Sequence, residues 1–317
     1  MNFKDPASRK KLVFIPAVFA AFTAGAYFFA LKNDFDFEIQ HFAPGSVPFI
    51  LLSVFLILSA AFSLCAYIPA RKRVYSENPP TPLFMIFAAS FTAILASALF
   101  IYKIPTLARY IKLIATPQYL SASLGGYQRP LLYLRCTEII TLPFVSAAFL
   151  SFVIPANNAS LVKFRCFASI LGCLSLTVSL FASYFDFSDA LNGAVRNLTT
   201  IVEACTALFT LSETRLIFPE DDSRRSYPMS VGLSCITSSA ALGLSLGALL
   251  FRIFCPNAAD PNPALLRSAL YFGISLAALA RLTTLSSCSS PKTDDGDSGD
   301  GIENSGTSTD TDGGDKD

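Results

Sequence analysis

Long apolar stretches, separated by short polar ones, dominate this chain. Seven of them run for at least 20 residues with few charges, at positions 12–31, 47–68, 83–102, 131–154, 166–185, 229–251 and 264–285. An α-helix rises 1.5 Å per residue, so about 20 apolar residues cross the hydrocarbon core of a bilayer. The pattern therefore predicts seven membrane-spanning helices.

An eighth segment, residues 189–213, carries polar residues on one side of a helix. Their three- and four-residue spacing places them in one line, which we call the polar stripe. It comprises Asp189, Asn192, Arg196, Thr199, Glu203, Thr206, Thr210 and Glu213. We predict that this helix also crosses the membrane, with the polar stripe facing its neighbours. If it lies in the interface instead, the protein has seven spans and its two ends lie on opposite sides.

The fold class expected from these patterns is an all-α, polytopic transmembrane helix bundle of about eight spans. Residues 1–285 form the helical domain, and residues 286–317 form a tail rich in Ser, Thr, Gly and Asp. The tail lacks the apolar residues that a packed core requires, so we expect it to be disordered. Small residues at four-residue spacing, Ser239, Gly243 and Gly247, predict a close helix contact in the apolar stretch 229–251.

Composition supports the membrane interpretation and shows a charge asymmetry. Hydrophobic residues make up 52% of the 317 residues and charged residues 15%, which is typical of a chain whose solvent is the lipid bilayer. The net charge of +1 divides into about −7 on the tail and +8 on the body. The tail could contact a membrane or cytosolic protein partner, and nothing indicates nucleic-acid binding.

The sequence contains little that could support catalysis. One histidine is present, His41, and the eight cysteines form no CxxC pair or Cys/His cluster, so no metal site, cofactor or imidazole-based catalysis is expected. Phosphate-binding, zinc-protease and serine-hydrolase motifs are also missing from the sequence. We therefore predict a protein that is not an enzyme.

Basic residues indicate an orientation in the membrane. With eight spans, thirteen Lys and Arg residues fall on the side of the N-terminus and seven on the other side. The positive-inside rule then places the N-terminus and the tail in the cytoplasm of a cell-membrane protein.

Charged residues inside the spans predict a buried polar cluster. Arg135, Glu138, Asn192, Arg196 and Glu203 fall within or beside the fourth span and the polar-stripe helix. A charge at mid-helix costs about 2.5–3.5 kcal/mol, so such residues need partners or water. Arg196 and Glu203 are seven residues apart, which is too far for a direct pair, so Glu138 is the expected partner of Arg196. Arg135 and Glu138, three residues apart, could also pair with each other. The cluster either holds helices together or forms a site for a ligand or ion.

A second basic set lies between the third and fourth spans. It comprises Lys103, Arg109, Lys112 and Arg129, and two of these, Arg109 and Lys112, lie within a segment, residues 105–117, that resembles a short interfacial helix. One interpretation is a surface that attracts an anionic solute or lipid head group. The other, which we favour, is that these charges face water on the polar side of an interfacial helix.

These features support two functions. The first is a non-catalytic multi-pass membrane protein, acting as a subunit of a membrane complex or as a sensor-like component. The alternative is a secondary transporter of a small solute, in which Glu203 or Glu138 titrates and Arg135 or Arg196 supplies the counter-charge. Transporters often contain internal repeats and broken helices; we find no repeat, and only Pro143 interrupts a span in an obvious way.

Overall fold

The computed structural model describes residues 6–36, 39, 41–71, 73–75, 82–116, 128–153, 159–185, 193–217, 222–256, 262–287 and 289–291. Within these ranges the chain forms nine α-helices and four short strands. The helices are α1 (Pro6–Asn33), α2 (Val47–Ala70), α3 (Leu83–Ala115), α4 (Gln128–Val153), α5 (Ala159–Tyr184), α6 (Ala194–Ile217), α7 (Asp222–Ile236), α8 (Leu242–Phe254) and α9 (Asn262–Ser287). The strands are β1 (Phe35–Asp36), β2 (His41–Phe42), β3 (Arg73–Tyr75) and β4 (Ser289–Pro291).

The predicted all-α class is confirmed, and seven helices are long and apolar enough to cross a membrane. They are α1 to α5, the continuous helix formed by α7 and α8, and α9. The polar-stripe helix α6 has 24 residues but is not among the seven. Most of the predicted acidic tail, residues 292–317, lies outside the described residues.

Two short antiparallel strand pairs mark the two ends of the bundle. β1 pairs with β2 between α1 and α2, and we call this the hairpin end. β3, after α2, pairs with β4, after α9, with Arg73 opposite Pro291, and we call this the terminal end. Successive helices run in opposite directions between these two ends, with α7 and α8 counted as one continuous helix.

Helix α6 runs along the bundle between α5 and α7. At the hairpin end its Arg196 bonds to carbonyl oxygens at the end of α5, and near the terminal end its Glu213 bonds to Ser230 of α7. Glu203, Thr206, Thr210 and Glu213 are all buried. The part of the polar stripe that the structure describes, from Arg196 to Glu213, therefore faces other helices, as the sequence predicts, whereas Asp189 lies outside the described residues.

Helix α3 is longer than the sequence predicts. It continues through Pro105 to Ala115, where a separate interfacial helix was expected. Proline lacks an N–H group and removes one helical hydrogen bond, but a helix can continue through it with a bend. Arg109 and Lys112 are exposed on this extension.

Glycines allow α8 to contact α1 closely. A Cβ atom at Gly243 would lie 2.5 Å from the Thr23 Cβ, and one at Gly247 would lie 2.8 Å from the Ala24 carbonyl oxygen. The predicted contact in this span is therefore present, and its partner face on α1 includes Ala20. Small residues let backbones approach each other in this way.

A π-helical turn, Thr237–Ala241, joins α7 to α8 without a break. All five of its residues are buried. The Thr237 hydroxyl donates to the carbonyl oxygen of Cys205 on α6, at 3.1 Å. Single π turns within α-helices are often found at functional sites, and this one adjoins the polar-stripe helix.

Candidate functional site

Glu138, on α4, is buried between two cations. Lys103 Nζ, from α3, donates to Glu138 Oε1 at 2.9 Å, and Arg135 Nη1 donates to Oε2 at 2.9 Å. Arg135 precedes Glu138 by three residues, the spacing that brings side chains together on one helix face. Glu138 lies eight residues, about 12 Å, after Pro130, the first residue of the apolar part of α4. A charge at this depth needs partners, and Lys103 and Arg135 provide them.

Glu203, on α6, is fully buried and paired with a cation from α9. Arg267 Nη2 donates to Glu203 Oε1 at 2.6 Å. The same oxygen accepts hydrogen bonds from Ser183 Oγ at 3.1 Å and from Tyr271 OH at 3.2 Å. The carboxylate is thus held through Oε1 by side chains of α5 and α9.

Ser179, on α5, connects the two carboxylates. Its hydroxyl is within hydrogen-bond distance of Glu138 Oε1 at 3.4 Å and of Tyr271 OH at 3.0 Å, and it accepts from Arg267 Nη2 at 3.0 Å. The contacts join α3, α4, α5, α6 and α9 near the hairpin end. We call this set the charged network: Lys103, Arg135, Glu138, Ser179, Ser183, Glu203, Arg267 and Tyr271.

Two buried atoms of the charged network have no hydrogen-bond partner among the described residues. They are Glu203 Oε2 and Arg267 Nε. Buried polar atoms in proteins are usually hydrogen-bonded to protein groups or to ordered water. Each carboxylate of the network therefore has a cation as a partner, but the hydrogen bonds of the network are not complete among the described residues.

A further buried ion pair, separate from the charged network, lies near the terminal end. Arg281 Nε on α9 is 2.8 Å from Glu213 Oε2 on α6, and Ser230 Oγ on α7 donates to Glu213 Oε1 at 2.8 Å. Ten residues, about 15 Å of helix, separate Glu213 from Glu203. Helix α6 is therefore bound to α9 by ion pairs at two levels.

Arg196 has a different environment from the one expected. Its Nη2 donates to the carbonyl oxygens of Ser183 and Tyr184, the latter at the last residue of α5. The carboxyl end of a helix carries partial negative charge, which favours a cation there. The expected pair between Arg196 and Glu138 does not form, because Glu138 bonds to Lys103 and Arg135 instead.

The remaining predicted residues are only partly described. Asn192 lies outside the described residues, as does the side chain of Arg129. Of the predicted interfacial basic set, Arg109 and Lys112 are exposed, whereas Lys103 turns inward to Glu138. Lys103 therefore belongs to the charged network, and the role of the other basic residues stays a prediction.

The sequence interpretation did not identify Arg267 and Tyr271 as members of the network. Arg267 is close to the start of its span, where a long side chain commonly reaches the interface. A signal was nevertheless present, because Arg267, Tyr271 and Ser275 follow each other at four-residue spacing and so share one face of α9. This second polar line packs against the polar stripe of α6.

Among the described residues, no group of three or more His, Cys, Asp and Glu side chains could hold a metal ion. The chemistry that the charged network offers is that of fixed charges and hydroxyl groups in a low-dielectric interior.

Comparison of the chain with protein-family models, curated proteins and solved structures finds no match. The network and its surroundings are consequently the basis for any functional interpretation.

Proposed function

We propose that this chain is a non-catalytic multi-pass membrane protein in which the charged network and the Glu213–Arg281 pair hold the helices together. It acts as a subunit of a membrane complex or as a sensor-like component, with both ends of the chain in the cytoplasm. The observation that carries this proposal is that Glu138, Glu203 and Glu213, the buried carboxylates among the described residues, each face a cation from another helix. In lipid, where no hydrophobic force drives helices together, such polar contacts and close packing provide the association.

The proposal includes eight spans, because α6 runs beside α5 and α7 over its length. A topology experiment tests this with single cysteines at Lys10, Asp36 and Asp300 on a cysteine-free background, labelled in intact cells with an impermeant maleimide. We expect Lys10→Cys and Asp300→Cys to give the same labelling result and Asp36→Cys to give the opposite result. Labelling of Lys10→Cys and Asp300→Cys from opposite faces means that α6 does not cross.

Transport of a small solute is the second candidate function. It is favoured by Glu203 Oε2, which lacks a hydrogen-bond partner in the described part of the chain, and by the hydroxyl groups that line the interior between Glu203 and Glu213. Thr206 and Thr210 of α6 are buried there, and the buried Ser234 Oγ of α7 and Ser275 Oγ of α9 have no hydrogen-bond partner among the described residues. Water could occupy such positions.

Cysteine accessibility at Thr206 separates the two functions. If the interior is a packed structural core, Thr206→Cys on the cysteine-free background should not react with a charged methanethiosulfonate added to either face. Asp36→Cys, which is exposed at the hairpin end, serves as the reactive control. Reaction of Thr206→Cys from one face only, at a rate comparable to the control, would favour transport over a structural role.

A further inference from the structure

Among the charged residues of the network, the cations are more exposed than the carboxylates. The side chains of Lys103, Arg135 and Arg267 are 15%, 18% and 22% exposed, whereas those of Glu138 and Glu203 are 5% and 0% exposed. A solute that approaches the network from outside therefore meets positive charge, while the carboxylates lie behind it. This arrangement favours an anion and disfavours a metal cation.

Two of these cations have hydrogen-bond donors to spare. An ammonium group has three N–H donors, and within the described part of the chain Lys103 Nζ donates one hydrogen bond, to Glu138. Arg267 Nε is buried without a partner in the same part of the chain. A buried donor that is left unpaired is costly, so a ligand that accepts from it gains affinity.

The cations are also close together. Lys103 and Arg135 hold the two oxygens of Glu138, and Arg267 is separated from Glu138 only by the Ser179 hydroxyl, to which it donates at 3.0 Å. Two of them lie near the starts of their spans: Arg267 is two residues, about 3 Å, and Arg135 is five residues, about 7.5 Å, from the first residue of its apolar helix. We therefore expect a solute to approach them from the hairpin end.

We propose that Lys103, Arg135 and Arg267 form a binding site for a small oxyanion, a carboxylate or phosphate group, at the hairpin end of the bundle. Two or three oxygens of such a group can accept from an ammonium and a guanidinium at once, and charge-assisted bonds of this kind are the strong ones. The group belongs either to a free solute or to a lipid head group. The site is additional to the structural role of the network and does not depend on transport.

Thermal unfolding of the full-length protein in a neutral detergent tests the site. Sodium phosphate or sodium formate is compared with sodium chloride at the same ionic strength, and we expect the oxyanion to raise Tm by roughly 2–4 °C. Lys103→Met should abolish this rise, since it removes a cation while Arg135 still pairs with Glu138. Glu138→Gln should enlarge it, because the competing carboxylate charge is removed.

The double variant Arg109→Met with Lys112→Met is the matched control. It removes two exposed cations from the same helix, α3, but none from the network, so the oxyanion effect should stay at its full size. If the rise persists in Lys103→Met, or if neither a free oxyanion nor an anionic lipid raises Tm, the proposed site is wrong. If Lys103→Met does not fold, Arg267→Lys, which keeps the charge and loses Nε, should reduce the rise instead.

Lipid nanodiscs distinguish the two sources of the oxyanion. In phosphatidylcholine nanodiscs, a rise in Tm with free phosphate or formate assigns the site to a solute. A rise that instead requires phosphatidylglycerol in the nanodisc, and is lost in Lys103→Met, assigns it to a lipid phosphate. The absence of both effects contradicts the proposal.

Discussion

Arg267→Met is expected to lower the free energy of unfolding by about 3–5 kcal/mol. The substitution keeps the approximate length of the side chain but removes the cation that faces Glu203, whose side chain is fully buried. An uncompensated carboxylate then remains in a low-dielectric interior, and this is more costly than the loss of the ion pair itself. Ser183 and Tyr271 still donate to Glu203 Oε1, but neutral hydroxyls do not balance its charge.

A second substitution distinguishes this mechanism from a simple loss of packing. In Arg267→Met with Glu203→Gln the buried charge is gone, while the glutamine carbonyl can still accept hydrogen bonds from Ser183 and Tyr271. We therefore expect the double variant to recover about half or more of the lost stability. The measurement is thermal or denaturant unfolding of the purified protein in detergent, followed by circular dichroism.

Arg109→Met is the control for the removal of an arginine. Arg109 is exposed, so its substitution should change the free energy of unfolding by no more than roughly 0.5 kcal/mol. If Arg267→Met proves as mild as Arg109→Met, or if the double variant is no better than the single one, Glu203 does not depend on Arg267 for its burial.

Gly243→Ala is expected to destabilise the contact between α8 and α1 by about 1–3 kcal/mol, and Gly243→Ala with Gly247→Ala by more. The new Cβ at position 243 would lie 2.8 Å from the Ala20 carbonyl oxygen and 2.5 Å from the Thr23 Cβ. Both are parts of α1 that cannot rotate out of the way, so the two helices must separate. Separation exposes the small-residue surfaces that let these backbones pack.

Gly25→Ala is the matched control, with an expected effect of opposite sign. No atom lies within 4 Å of a Cβ built at Gly25, and alanine favours the helix over glycine by roughly 0.5–1 kcal/mol. We thus expect Gly25→Ala to be neutral or stabilising in the same unfolding measurement. Equal destabilisation by both substitutions would show that helix flexibility, and not the close contact, makes glycine necessary.

The apolar pattern predicts the helices well because both the length of a span and the avoidance of charge are properties of a single segment. The polar stripe of α6 could be predicted for the same reason, since its residues share one face by spacing alone. Which surface of α1 meets Gly243 was harder to predict. Ala17, Ala21 and Gly25 form a line of small residues in the sequence, but the contact uses Ala20, Thr23 and Ala24.

Partners across helices could not be predicted, because spacing along one helix carries no information on which neighbour it faces. Glu138 meets Lys103, 35 residues away, and Glu203 meets Arg267, 64 residues away. Lys103 was assigned to an interfacial surface since it follows its apolar stretch directly. The similar numbers of acidic and basic residues in the predicted spans indicated that buried carboxylates would be paired. Which cations pair with them depends on how α3 and α9 pack.

The π turn at Thr237–Ala241 has a consequence for how this gene can change length. A π turn accommodates about one residue more than an α turn. The loss of one residue there therefore converts it to regular α-helix, and the side chains of α7 and α8 keep their relative orientation around the axis of the continuous helix. Elsewhere in α7 or α8, the same deletion rotates everything beyond it by about 100°, carrying Ser230 away from Glu213 or Gly243 away from α1. Natural length variants of this continuous helix should accordingly concentrate in the five codons for Thr237–Ala241.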